Sequence, residues 1–315
     1  MKSGETYLSP SGGFSSSHFT DHYLYTIAID PTNSNVWVGA ESTVEQISTA
    51  GELASGSPFL SSSANADFEG AYSLSVDGQE HVWIASGSTV FELGSTGGLT
   101  SPTSGWTVPG NFPEPQAVAI DGSENVWIVD YYNNTLIEMT QTGHATLISP
   151  SLGQSMSSPD GVAVDDQGNI WIANYGTTYV ASEYSQKLKD FISDEPHGFH
   201  LGNAQNGAAD FVSMDGSGNA WFAVTDTTCT STSSCVGTVE LSTTGALLSG
   251  STGFYAGGYT PGYPAFHTAA AIDGSGNEWV ANSITDSVTE LVGAAVPVVT
   301  PLAAAVANNT IATRP

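Results

Sequence analysis

The sequence predicts an all-β protein, a six-bladed β-propeller of four-stranded antiparallel blades. Three observations carry that prediction. One phrase recurs six times along 315 residues: YTIAIDPTNSNVWVGA, YSLSVDGQEHVWIAS, QAVAIDGSENVWIVD, DGVAVDDQGNIWIAN, DFVSMDGSGNAWFAV and TAAAIDGSGNEWVAN. Each copy holds a tryptophan at one offset (Trp37, Trp83, Trp127, Trp171, Trp221, Trp279), at intervals of 46, 44, 44, 50 and 58 residues. Such a period is in or above the range of a four-stranded propeller blade. Thirty-five Gly and 15 Pro, with abundant Ser, Thr and Asn, supply many short turns.

Each phrase reads as two strands joined by a tight turn built on Asp, Gly and Asn. Both strands are apolar on successive residues (VAV, VWIA), whereas a half-exposed strand would alternate. They therefore need a sheet on either side, which radial packing of blades provides while leaving only short, protected edges. A third strand follows in VFEL, LIEM, TVEL and VTEL, and a Gly-bearing polar segment leads to a weak fourth. The last copy ends after its third strand, so the segment around Gly13–Ser17 is expected to close the ring with the missing outer strand. Residues 1–292 are then one propeller, and 293–315 an Ala/Val/Pro tail strapped to its surface.

Composition bounds the partners. Four Lys+Arg against 31 Asp+Glu give a formal charge of −27. A surface so poor in cations cannot neutralise phosphates, so neither nucleic acid nor anionic membrane is an expected partner. The uncharged run LVGAAVPVVTPLAAAVA (291–307) contains two prolines and reads as a strap rather than a membrane span. Cys229 and Cys235, in CTSTSSC, are expected to close a small disulfide loop, with two free thiols as the alternative. A disulfide suits an oxidising setting, so the protein is expected to be secreted or at a bacterial-type cell surface, and monomeric.

In a repeat protein, a residue present in every copy is most simply structural. Asp30, Asp77, Asp121, Asp165, Asp215 and Asp273 close the first strand at the turn, where their carboxylates can accept backbone N–H groups. The tryptophans are expected to pack between blades. Glu92, Glu138, Glu183, Glu240 and Glu290, on the third strand, are expected to form a solvated row.

Function is better sought where the symmetry breaks. Because the two leading strands are antiparallel, the start of the first and the end of the second share one face. Residues five before the turn Asp ring the channel mouth there: Tyr25, Tyr72, Gln116, Asp160, Asp210 and Thr268. Asp130, Asn174 and Asp226 end second strands on the same rim. A concave mouth with convergent polar groups is a common ligand site. The oxygens of Asp160, Asp210 and Gln116 suit a hard cation such as Ca²⁺ or Mg²⁺. His200 and His267 lie in connectors leading to this rim, where a neutral imidazole can act as a base. The Gly- and Pro-rich connector 253–267 carries Tyr259 and Tyr263, which with Tyr131, Tyr132 and Tyr175 would make an aromatic, acidic rim suited to a glycan, a peptide or a cation.

At Pro159–Asn174 the chain resembles the NHL-repeat and streptogramin-lyase-like propellers, whose phrase P-x-G-[VI]-A-[VI]-D-x-x-G-N-[VI]-W-[VI]-A-[ND] is nearly complete there. More distantly it is similar to the gluconolactonase and regucalcin type of metal lactonase. The resemblance implies the propeller fold and a site on the mouth face, with Asp160 similar to a metal-binding position of the lactonases. His267 resembles a residue that precedes the first strand in the lyases, which use His and Glu with Mg²⁺ to open an ester. Where those lyases end second strands in Glu, this chain has Asn174 and Asn282. No GxSxG, HExxH, GxGxxG or P-loop pattern stands in a suitable context. The first expectation is therefore a non-catalytic propeller that binds a small molecule, glycan or peptide at the mouth. The alternative is a divalent-metal-dependent lyase or ester/lactone hydrolase on the same face.

Overall fold

In a computed structural model of the chain, the structure describes residues 24–30, 33, 35–48, 52–110, 113–148, 156–176, 180–192, 198–201, 207–226, 238–250, 253–254, 270–272, 276–282, 287–291 and 293–296. Each copy of the repeat forms one antiparallel sheet, and its strands pair in chain order. The first sheet is β1 (Leu24–Ile29), β2 (Val36–Ala40), β3 (Thr43–Ile47) and β4 (Leu60–Ser61). The second is β5 (Ser73–Val76), β6 (Val82–Ser86), β7 (Thr89–Leu93) and β8 (Trp106–Thr107). The third is β9 (Pro115–Ile120), β10 (Val126–Asp130), β11 (Thr135–Met139) and β12 (Ala145–Leu147). The fourth is β13 (Pro159–Val164), β14 (Asn169–Asn174), β15 (Ala181–Ser185) and β16 (Asp190–Phe191). The fifth has β17 (Gly207–Met214), β18 (Ala220–Asp226) and β19 (Thr238–Leu241), and the sixth has β20 (Ala270–Ile272), β21 (Glu278–Asn282) and β22 (Ser287–Leu291).

The leading strands neighbour one another in turn, β1 on β5, β5 on β9, β9 on β13, β13 on β17 and β17 on β20, which is the radial arrangement of a propeller. Five blades are counted among the described residues, against the six expected. The sixth copy contributes its three-stranded sheet beside the fifth, while much of the chain assigned to completing it lies outside the described residues, as does Gly13–Ser17.

The core is a series of layers between blades, not one central cluster. Trp83 packs with Val118, Ile120, Ile128 and Ile137 of the next blade, and Trp127 with Val162, Val164, Ile170 and Ile172 of the one after. Trp171 lies with Val212, Met214 and Phe222, stacked on Phe199 at 5.5 Å between ring centroids. This is why both leading strands of the inner copies are apolar throughout: each face of those blades meets another blade, whereas Ile27 and Ile29 of β1 are exposed among the described residues. Beyond β22, Ala294 and Ala295 pack near Trp221 and Ile272, and the Val296 N–H donates to Asp215 Oδ2 at 3.3 Å.

The turn carboxylates take the structural role expected of them. In Asp165, Oδ1 accepts the backbone N–H groups of Gln167 (2.9 Å) and Asn169 (2.7 Å), and Oδ2 accepts the Asn169 side chain (3.0 Å) and the Trp171 indole (3.2 Å). Asp77, Asp121 and Asp215 repeat the pattern, each also accepting its own tryptophan Nε1–H. The first copy departs from it. Seven positions separate Asp30 from Trp37, against six in every other copy, and the buried Trp37 Nε1 has no hydrogen-bond partner.

The glutamate row is not solvated, which corrects the expectation. Register pairs Trp83 with Glu92, Trp127 with Glu138, Trp171 with Glu183 and Trp221 with Glu240, so each Glu shares the tryptophan's face and is covered with it. Glu92 and Glu183 are buried, and Glu138 and Glu240 half-buried. Burial, and then the nearby Asp165 charge, push Glu183 up to about 8. The Glu290 side chain lies outside the described residues. No helix among the described residues is long and apolar enough to cross a membrane.

Candidate functional site

A β-bulge falls at four of the mouth positions. In β1, pairing with β2 skips Tyr25; in β9, pairing with β10 skips Gln116; in β13 and β17, it skips Asp160 and Asp210. In blade two the Tyr72 N–H donates to the same Ala85 that pairs with Ser73. A bulged residue is surplus to the ladder, so its side chain is free to be re-aimed. The close approach beside it depends on glycine: a Cβ on Gly161 would meet the Asp210 carbonyl oxygen and Phe211 Cα, each at 3.1 Å.

Tyr25, Tyr72, Gln116 and Asp160, but not Asp210, converge on a cavity of about 290 Å³ whose lining is completed by Glu114, Tyr131, Tyr132 and Tyr175. Tyr25, Tyr72, Gln116, Asp160 and Tyr175 were all expected at the mouth. The rings are mutually inclined: Tyr131 and Tyr132 meet edge to face at 5.5 Å, and Tyr131 and Tyr175 at 6.4 Å and 48°. Gln116 donates a side-chain hydrogen bond to the Asp160 carboxylate, yet burial prevails and pushes Asp160 up to about 6. Burial also raises Tyr72 and Tyr175, reinforced by the Glu114 charge at Tyr72 and the Asp210 charge at Tyr175.

Glu114 was missed in the sequence. Its carboxyl is raised first by burial, then by Asp130 and Asp160, and its buried Oε2 has no hydrogen-bond partner. The available signal was FPEPQ: a carboxylate two residues before the bulge position, where no other copy carries one.

The residues that end second strands support the site from behind. Asp130 is fully buried; Oδ1 accepts the Asn133 N–H at 2.9 Å, and Oδ2 accepts the Glu114 N–H at 3.0 Å. Asn174 is likewise buried, with Oδ1 accepting the Ser157 N–H at 3.2 Å and Nδ2 donating to Ser182 Oγ at 3.0 Å. Asp130 therefore faces Glu114 and the loop after β10, Asn174 faces Ser157 and β15, and neither lines the cavity, where the sequence had put them. Asp210 is buried and does not line it either. His200 is exposed and away from it. Tyr259, Tyr263, His267, the Asp226 side chain and both cysteines lie outside the described residues. Among those residues no three His, Cys, Asp or Glu side chains are grouped to hold a metal.

No protein-family model and no curated protein matches the sequence. Solved structures match the fold. A catalytically inactive virginiamycin B lyase from Staphylococcus aureus, with quinupristin, is 12% identical, with TM-score 0.59 over 85% of this chain and 80% of that one. A streptogramin B lyase is 13% identical, with TM-score 0.60 over 86% and 83%. A gluconolactonase from Xanthomonas campestris is 13% identical, with TM-score 0.54 over 82% and 83%. The structural neighbours are thus streptogramin-lyase and gluconolactonase propellers. At these identities they establish the fold alone.

Proposed function

We propose that this propeller binds a small molecule, or the end of a glycan or peptide, in the mouth cavity without transforming it. One observation carries the reading. Four blades deliver five tyrosines, two carboxylates and an amide into one concavity, at positions where the repeat breaks its own symmetry. The test is isothermal titration of fluorotyrosine-labelled protein against amine, sugar and peptide panels, followed by fluorine NMR. A ligand that shifts the mouth tyrosines and weakens at least tenfold in the Tyr131→Ala/Tyr175→Ala variant supports the site. Ligands whose affinity ignores that variant place binding elsewhere. The same reading makes the protein extracellular and monomeric, supported by its cation-poor sequence and by the Cys229/Cys235 spacing.

A second reading, a divalent-metal-dependent lyase or ester/lactone hydrolase, is favoured by Asp160, a carboxyl held near neutrality where proton transfer is efficient. The mouth oxygens fit a hard cation in kind: Glu114, with its unpartnered Oε2, and the Gln116 side-chain oxygen would hold it beside Asp160. A bound ion would polarise a substrate carbonyl. Asp160 would then exchange the proton, Gln116 would orient Asp160, and the tyrosines would exclude water.

A further inference from the structure

We propose that the mouth cavity recognises an organic ammonium ion, an alkylated amine whose carbons lie against the tyrosine rings and whose charge faces Glu114 and Asp160. The inference rests on the reading of the mouth as a ligand site and specifies what enters it.

Charge is the first argument. Glu114 and Asp160 line one cavity, and the Asp160 charge adds to what burial does in raising Glu114, yet no cationic side chain lines the cavity with them. The described part of the chain has only Lys187 and Lys189 as fixed cations, both at the β15–β16 turn. An anionic ligand would be repelled. A neutral apolar ligand would leave the buried Glu114 Oε2 without a partner, which is unfavourable for a desolvated carboxylate.

The walls are the second argument. Aromatic faces carry negative quadrupole density, and inclined tyrosines around one volume attract a cation whose own hydration is weak. Tyr131, Tyr132 and Tyr175 are arranged in that way. Alkyl groups on nitrogen meet ring faces, whereas a strongly hydrated metal ion gains little from them and a neutral sugar would bring no charge to face Glu114 and Asp160. Volume agrees: about 290 Å³ is at the small end for ligand cavities, enough for a headgroup.

The probe pair is choline and its uncharged tert-butyl isostere, in which carbon replaces nitrogen, titrated into the full-length protein alongside neutral mono- and oligosaccharides. Choline is expected to bind roughly tenfold or more tightly than the isostere. Glu114→Gln should bring the ratio close to one, while Tyr131→Leu should weaken both probes; a thermal melt of each variant establishes that it is folded. Equal binding of both probes, or a ratio indifferent to Glu114→Gln, overturns the inference and leaves the mouth as a ligand site. Saccharide binding that depends on Tyr131, with no choline binding, does the same. Failure of every probe and panel to perturb the mouth tyrosines overturns both readings.

Discussion

The two ends of the leading strands carry carboxylates in opposite states. At the turn end, Asp77, Asp121, Asp165 and Asp215 are each saturated by backbone amides and an indole N–H. At the mouth end, Asp160 accepts from Gln116, and Glu114 Oε2 accepts from nothing. The turn end repeats in copies two to five and ties each tryptophan to its own hairpin. The mouth end varies between tyrosine, glutamine and aspartate, and burial raises both Glu114 and Asp160 there. An acidic residue is therefore tied into the fold only where the fold supplies its donors.

The contrast can be broken most severely at the belt. Trp171→Ala removes a side chain packed between blades four and five and should cost about 3–5 kcal/mol in chemical denaturation. Loss of less than about 1 kcal/mol would mean the inter-blade layer collapses onto the gap. Acidity is the next lever. Glu183 and Glu278 are pushed up to about 8, so the folded state holds protons that the unfolded state releases. Their contribution is fully present below the ordinary carboxylate range and lost as pH rises through about 8. The melting temperature should accordingly fall between pH 5 and pH 9, and a rise over that interval would show the belt ionised.

Glu278 tests the same point by substitution. It is wholly buried beside Thr238 and Glu240, at a position that is Val36, Val82, Val126, Ile170 and Ala220 in the other copies. Glu278→Val should stabilise by about 1–3 kcal/mol and flatten the alkaline loss. In the first copy, deleting Thr32 restores the common spacing and should give Trp37 Nε1 an acceptor, adding about 1 kcal/mol. The smallest effect belongs to the mouth. Asp160→Asn should change stability by less than about 0.5 kcal/mol at neutral pH while altering ligand binding; a loss comparable to Trp171→Ala would make Asp160 structural.

Much of this was legible from residues alone. A repeated Asp and a Trp six positions later define the blade and its belt, because both are set within one hairpin. The ring of Tyr25, Tyr72, Gln116 and Asp160 followed from counting back from that Asp, since antiparallel strands put those positions on one face. Tertiary structure decided the rest. Whether Glu183 meets water depends on the adjacent blade. Asp130 and Asn174 find their partners in loops distant along the chain, at Glu114 and at Ser157. The bulges that aim the mouth residues belong to pairs of strands, not to one. Periodicity specifies which way a side chain leaves its strand; burial and hydrogen bonding depend on what another part of the chain brings to meet it.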